Sequence, residues 1–332
     1  MPRVPLFTVA LAMFGCSAYT GSTEGENGLF NFYEPNDYPD DEALSSQGFE
    51  LPIALGARVD VWFTSEAATI SSFDNAEVDD PSILDIESQL YPIVLRARSV
   101  GTTRLHATQT SGATDAISLS VVAADNVRIW IVEEFLGQFG NSAGLALRPG
   151  ASLRIAGQPK AGSTPLLGFD VLDWMIDDTL FLDREDGGTV NTRRLEAVGA
   201  SGIANISTQL GGSLEIATLA PDDPVDLVIQ QIPLDGGAVT AVDSLGSQDL
   251  ALFGLTGTDI AGRDVKPSPQ DEDDFTATVV SGSVTIIEAK LGNRLASLRA
   301  CAGTGTIELS YLGSSRTVPI EVNATDADEE CP

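Results

Sequence analysis

The sequence predicts an all-β protein built of tandem β-sandwiches, on three observations. Every clear apolar pattern has period two, the spacing of strands buried on one face: Val59 and Val61, Leu153 and Ile155, or Ile117, Leu119 and Val121. One short mark also occurs three times, as Leu95, Ala97, Gly101 and Leu105, as Leu195, Ala197, Gly202 and Ile206, and as Leu298, Ala300, Gly303 and Ile307. In each copy Leu stands two before Ala, a Gly follows, and an apolar residue comes four after it. Equivalent positions lie about 94 to 104 residues apart, longer than a solenoid repeat and matched to a whole small domain.

Each repeat reads in the same order. It opens on a strand: Phe30 to Phe32, Val127 to Ile131, Val225 to Ile229. A Gly then leads an alternating strand, at Gly56, Gly150 and Gly246, the third copy with one extra residue. The Leu-Ala-Gly mark follows, and a closing strand ends the unit: Ile117 to Val121, Leu214 to Ile216, Val318 to Ile320 and Val322. Turn residues such as Pro149-Gly150, Asp186-Gly187-Gly188 and Gly211-Gly212 punctuate the strands. No segment carries a helical stripe ten residues long. Some seven short strands in about 95 residues is the pattern of an Ig-like sandwich. The expected division is a signal peptide at 1–15, a tether at 16–27, and three Ig-like domains at 28–124, 125–222 and 223–332. Pro221 and Pro224 should stiffen the second junction.

The second repeat carries the most detail. Val171 to Ile176 reads as a strand with an inward Trp174. Asp177 to Asp183 follows as turn and strand, then the Gly-Gly turn and the Leu195 mark. This order resembles the bacterial Ig-like family of group 2, found in surface proteins such as intimins and invasins. The first repeat keeps the family-like turn Asp80-Pro81-Ser82 but places its Trp62 one strand earlier; the third has neither feature. The resemblance implies a tandem-domain surface protein.

Composition narrows the partners. Hydrophobic residues make up 43% of 332 residues, enough for a core in each repeat. Net charge is −30, with one histidine, His106. Such a surface repels nucleic acid and anionic lipid, so neither is an expected partner. Lys160, Lys266 and Lys290 are the only lysines.

The N-terminus predicts export. Arg3 is followed by an eleven-residue apolar run, Val4 to Phe14, too short to span a bilayer and suited to a signal peptide. Gly15-Cys16-Ser17 then resembles a bacterial lipoprotein signal, which implies acylation at Cys16 and an envelope or cell-surface location. Plain secretion after cleavage at Ala18 is the rival route. Ser17 to Asn27 is small and polar, as befits a tether. Removal of Cys16 from the thiol pool leaves Cys301 and Cys331, which an oxidising compartment can bridge. That bridge would close a loop of about thirty residues and contribute roughly 3 kcal/mol. Two free thiols are the other reading.

No catalytic pattern stands out. His106 lies between apolar neighbours on an expected strand and should face away from the core. No Gly-x-Ser-x-Gly or Ser-x-x-Lys occurs, and one His with this Cys spacing makes no zinc module. No cofactor is expected. The carboxylates gather in loops, at Asp79-Asp80, Asp177-Asp178 and Asp271 to Asp274, where solvation explains them. Calcium at the junctions, held by Asp125, Asn126, Asp222 and Asp223, is the other reading of these acids. The expected function is non-enzymatic: a spacer or an adhesion and assembly module acting on envelope protein or polysaccharide. A second reading is polysaccharide binding on exposed aromatics, with Trp62 and Trp130 as platforms. A hydrolase with a carboxylate pair is the third.

Overall fold

The structure is a computed structural model and describes residues 23–34, 48–65, 68–69, 73–90, 92–132, 144–185, 191–231, 240–241, 245–247, 250–292 and 295–322. The chain forms two compact units, Met1–Val122 and Ala123–Pro332.

The first unit contains β1 (Thr23–Glu24), β2 (Phe30–Tyr33), β3 (Ile53–Ala54), β4 (Arg58–Ser65), β5 (Ala68–Thr69), β6 (Phe73–Val78), β7 (Leu84–Ser88), β8 (Ile93–Ala97), β9 (Gly101–Gln109) and β10 (Thr114–Val122). One sheet runs β1-β2-β4-β8-β7 with β5 beside β4, and the other runs β3-β10-β9-β6. With β2, β4, β8 and β7 as strands A, B, E and D, and β6, β9 and β10 as C, F and G, this is the Ig order. The short β3 pairs in parallel with β10, and the remaining pairs are antiparallel. Phe30, Phe32 and Phe63 stack at the head of the core with centroids 5.2 to 6.1 Å apart. All three are almost fully buried, and each contributes about 2 kcal/mol by leaving water.

The second unit opens with β11 (Asn126–Ile131), β12 (Leu145–Leu147), β13 (Ser152–Ala161), β14 (Thr164–Pro165), β15 (Trp174–Met175), β16 (Phe181–Glu185), β17 (Thr192–Ala197), β18 (Gly202–Thr208) and β19 (Gly211–Thr218). It continues with β20 (Asp226–Gln231), β21 (Thr240–Ala241), β22 (Leu245–Ser247), β23 (Leu250–Thr258), β24 (Asp264–Lys266), the helix α1 (Pro269–Asp273), β25 (Thr276–Gly282), β26 (Thr285–Gly292), β27 (Leu295–Cys301), β28 (Gly303–Tyr311) and β29 (Ser314–Val322). The A-B-E-D order recurs as β11-β13-β17-β16 and as β20-β23-β27-β26. The opposing sheets are β15-β18-β19-β12 and β25-β28-β29-β22. The expected all-β Ig-like fold is what the chain adopts. The short helix is a local addition: Ser268 caps it, and Pro269 fits its first turn.

The second and third repeats are spliced into one sheet. Strand β12 pairs in parallel with β19 on one side and with β24 on the other, and β24 folds back on β23. The result is a sheet of ten strands. Ala146, Ala217 and Leu219 of the second repeat belong to the core of the third, beside Val265 and Phe253. A separate core of the second repeat surrounds Leu153, Phe181, Leu195 and Ile206.

The repeated mark is the E strand, its turn, and the F strand. Leu95, Leu195 and Leu298 lie on β8, β17 and β27 and pair in register with Val59, Leu153 and Ala251 of strand B. Ala97 exchanges backbone hydrogen bonds with Gly56 and Ala57, and Ala197 does the same with Gly150 and Ala151. The two sequence landmarks therefore meet in space. The mark's Gly does a different job from the bend expected of a turn glycine. A Cβ on Gly101 would lie 2.7 Å from Ile83 Cδ1, one on Gly202 3.0 Å from Leu180, and one on Gly303 2.8 Å from the Ser283 backbone. The residue must be small because the C–D turn crosses the start of strand F.

Candidate functional site

His106 sits on β9 between the buried Leu105 and Ala107, and its own ring is partly exposed. Its Nε2 lies 2.9 Å from Asp79 Oδ1. This contact joins β9 to the bend that follows β6 in the first unit.

The turn Asp80-Pro81-Ser82 has a counterpart the sequence hides. Asp80 Oδ1 accepts hydrogen bonds from Ser82 N at 2.9 Å and Ser82 Oγ at 2.6 Å. Asp177 Oδ1 accepts the same pair from Thr179, at 2.9 and 2.6 Å. The hydroxyl bond first, and then the amide bond, hold both carboxyl groups below their ordinary range. Asp177-Asp178-Thr179 is therefore the same turn without its Pro and Ser. These carboxylates order loops, and nothing here aims them at a substrate.

Three of the four candidate calcium ligands take part in local structure, and the fourth, Asp222, is exposed. Asp125 accepts the Gly162 amide through both carboxylate oxygens, at 3.0 and 3.1 Å, and Asn126 Nδ2 donates to Gly162 O at 3.0 Å. Together they clamp the turn between β13 and β14. Asp223 Oδ2 accepts Ala220 N at 2.7 Å, closing a turn at the second junction. Among the described residues, no group of three or more His, Cys, Asp or Glu side chains is placed to share a metal ion. Among them too, no helix is long and apolar enough to cross a membrane.

The tryptophans are engaged. Trp174 packs against the second repeat's core, Arg128 lies over the Trp130 ring at 5.5 Å, and Trp62 stands 6.4 Å from Tyr33 across strands. Cys301 ends β27 and is buried. Cys16 and Cys331 lie outside the described residues.

The residue that organises the splice is Arg148, directly after β12. Its backbone N donates to Lys266 O at 3.0 Å. Nη1 donates to Pro221 O at the junction at 2.8 Å, and Nη2 lies 3.5 Å from Asp271 Oδ1. Both side chains are about nine-tenths covered. Asp271 Oδ2 meanwhile accepts Ser268 N at 2.7 Å and Ser268 Oγ at 2.8 Å. One guanidinium thus ties the second repeat, the junction and α1 together. Asp271, which the sequence groups with a solvated acidic loop, is its buried counter-ion.

Beside the splice lies a cleft of about 330 Å³, lined by Val132, Ser152, Leu153, Arg154, Arg194 and Lys266. Arg154 faces Arg194 across β13 and β17, and Arg194 faces Arg184 across β17 and β16. All three arginines are exposed. Arg194 Nη2 donates to Ser152 Oγ at 3.2 Å, and Arg184 pairs with Glu196 at 3.2 Å. Lys266 comes from β24, so both repeats contribute to the cleft.

No family model and no curated protein matches this sequence. Among solved structures, the chain is similar to the Escherichia coli adhesin FdeC at 11% identity, over 81% of this chain and 94% of that one, with a TM-score of 0.25. It is similar to the S-layer protein SbsC at 13% identity over 90% of this chain and 40% of that one (TM-score 0.25), and to a bacterial integrin-binding invasin at 11% over 82% and 58% (TM-score 0.23). The chain thus spans less than two thirds of SbsC and of invasin. Likeness at this level identifies no activity; the fold rests on the strand order itself.

Proposed function

We propose that this chain is a non-enzymatic, exported protein of the cell envelope whose three tandem Ig-like domains serve as a spacer or an adhesion and assembly module. The observation that carries the reading is the splice. A module that only holds a binding surface at a distance needs a coupling that resists bending, and β12, β24 and the Arg148–Asp271 pair supply one between the second and third repeats. His106 is paired with Asp79 on the surface, and Asp80 and Asp177 are engaged in turns.

The proposal includes acylation at Cys16 and a Cys301–Cys331 bridge. The bridge is supported by the burial of Cys301 at the end of β27 and by a sulfur that is not free. Labelling cells with a radioactive fatty acid, with Cys16→Ala as the control, tests the anchor. Expected is label in the envelope fraction for the wild type and none for the variant. Cross-linking in intact envelopes should then capture a surface partner. Unlabelled protein recovered only from the cytoplasm, with its N-terminus intact, would overturn the reading.

A further inference from the structure

Strand β25 is an open sheet edge of the kind that proteins ordinarily close. An edge strand offers unpaired backbone groups to any other chain, and charged side chains along it are a common safeguard. Among the described residues, the other edge strands of four or more residues all carry charge: Glu77 on β6, Glu87 on β7, Arg128 on β11, Arg184 on β16 and Lys290 on β26. Strand β25, Thr-Ala-Thr-Val-Val-Ser-Gly, carries none, in a chain of net charge −30. Its counterparts as strand C show the contrast, since β6 is charged and β15 has only two residues. Among the described residues β25 pairs with β28 alone. The core is incompletely covered here too: Ala277 and Val279 pack against it and are only partly buried.

Register tells which backbone groups are open. The β28–β29 hairpin closes through Leu312 and Gly313, both with positive φ, so Tyr311 and Ser314 form its hydrogen-bonded end pair. Bonding direction alternates along an antiparallel strand. Leu309 and Ile307 therefore bond toward β29, while Ser310 and Glu308 bond toward Thr276 and Thr278 of β25. That leaves the N–H and C=O groups of Ala277 and Val279 pointing out of the sheet. The ladder's register shifts beyond Val279, so the regular edge is 276–279.

We propose that this edge pairs with the same edge of a second copy of the chain, antiparallel, about a two-fold axis at Thr278. Ala277 of one copy then exchanges backbone hydrogen bonds with Val279 of the other, and both side chains gain cover. Thr278 faces Thr278, a favourable cross-strand pair. A two-fold contact closes on itself and stops at a dimer. Charge selects the direction. Asp274 is exposed just before the strand and would meet its own copy in a parallel pair, whereas in the antiparallel pair the two stand about 27 Å apart. Glu308, next to Thr278 on β28, would lie about 14 Å from the same residue of the other copy, beyond the Debye length of about 8 Å. The inference goes beyond the spacer reading and does not rest on it, because the edge can pair whether or not the chain is anchored.

Sedimentation equilibrium of the full chain at about 0.15 M salt tests it. Expected is a reversible monomer–dimer equilibrium with a dissociation constant on the order of 10 µM, as befits a short edge. Thr278→Lys sets like charges face to face across the axis and should weaken the dimer about tenfold. Thr317→Lys makes the same change at an exposed position of β29, away from the edge, and should leave it unchanged. Thr278→Cys reads the register. In a Cys16→Ala background, mild oxidation should join two copies through it, because side chains approach closely in a non-hydrogen-bonded pair; Thr317→Cys should not cross-link. That readout also decides the matter should Thr278→Lys fail to fold. A wild type still monomeric at about 1 mM, association beyond a dimer, equal effects of the two lysine variants, or no preference for cross-linking at position 278 would each overturn the proposal.

Discussion

Asp115 carries more of the first unit than its type suggests. It is fully buried on β10, on the same side as Ile117, Leu119 and Val121. Its Oδ1 accepts the amides of Asn27 and Ala116 and its Oδ2 those of Leu29 and Phe30, all at 2.8 to 2.9 Å. One carboxylate thereby satisfies the loop that connects β1 to β2. Burial pushes its carboxyl upward, but the four amides outweigh that and hold it below the ordinary value. The sign follows from linkage. A group with a depressed folded pKa adds stability above its unfolded value, near 3.9, and loses it as pH falls toward the folded value. Asp115→Ala should lower stability by about 3 kcal/mol at neutral pH, and the deficit should shrink below pH 4. Denaturant unfolding at pH 7 and pH 3 reads both; an equal deficit at the two values sinks the idea. The mark's glycines behave differently. Gly202→Ala places a Cβ against Leu180 and should cost about 1 to 3 kcal/mol by overpacking, restored in part by Leu180→Ala in a double-mutant cycle.

At the scale of elements, the splice depends on short strands with long reach. Strand β12 has three residues, yet it bonds on both edges. Arg148 locks its end. Removing one partner of a buried pair leaves the other charge uncompensated, at about 3 to 5 kcal/mol. Arg148→Ala and Asp271→Ala should therefore each destabilise the second unit by that order. Arg148→Met with Asp271→Leu should recover most of the loss, because an apolar pair needs no counter-charge. Thermal melts of the four proteins decide; a double variant no better than the singles contradicts the argument. The opening, B and closing strands and the repeated mark were all legible in the sequence, because half-burial writes itself as period two. The splice was not. Leu145 to Leu147 and Asp264 to Lys266 are too short to show a period, and their pairing joins residues more than a hundred positions apart. Asp115 had left a signal: an acid at a core-facing position of an alternating strand. Asp271 had left none, since its neighbours Glu272 to Asp274 make it look like one more charge in a loop. The cleft's arginines were hidden for a related reason. Register alone brings Arg154, Arg184 and Arg194 into line, and register cannot be read from spacing.

At the scale of the whole molecule, the two units differ in how they hold together. The first closes its own pair of sheets around Phe30, Phe32 and Phe63. The second runs a single sheet through two repeats and shares core residues between them. Cooperativity follows shared burial. The second and third repeats should therefore unfold together, although the sequence divides them at a Pro-rich junction. Calorimetry of the full chain should show two transitions. Asp115→Ala should move only the one belonging to residues 1–122, and Arg148→Ala only the one belonging to 123–332. Breaking the splice more severely, with Ala146→Pro, removes a backbone donor from a strand bonded on both edges. That variant should split the second transition in two, because the core of the third repeat draws Ala146, Ala217 and Leu219 across the splice, whereas the core around Leu153 and Phe181 is built from the second repeat alone. Three transitions already present in the wild type would mean the ten-stranded sheet does not couple the repeats, and the rigid-spacer reading would lose the observation that carries it.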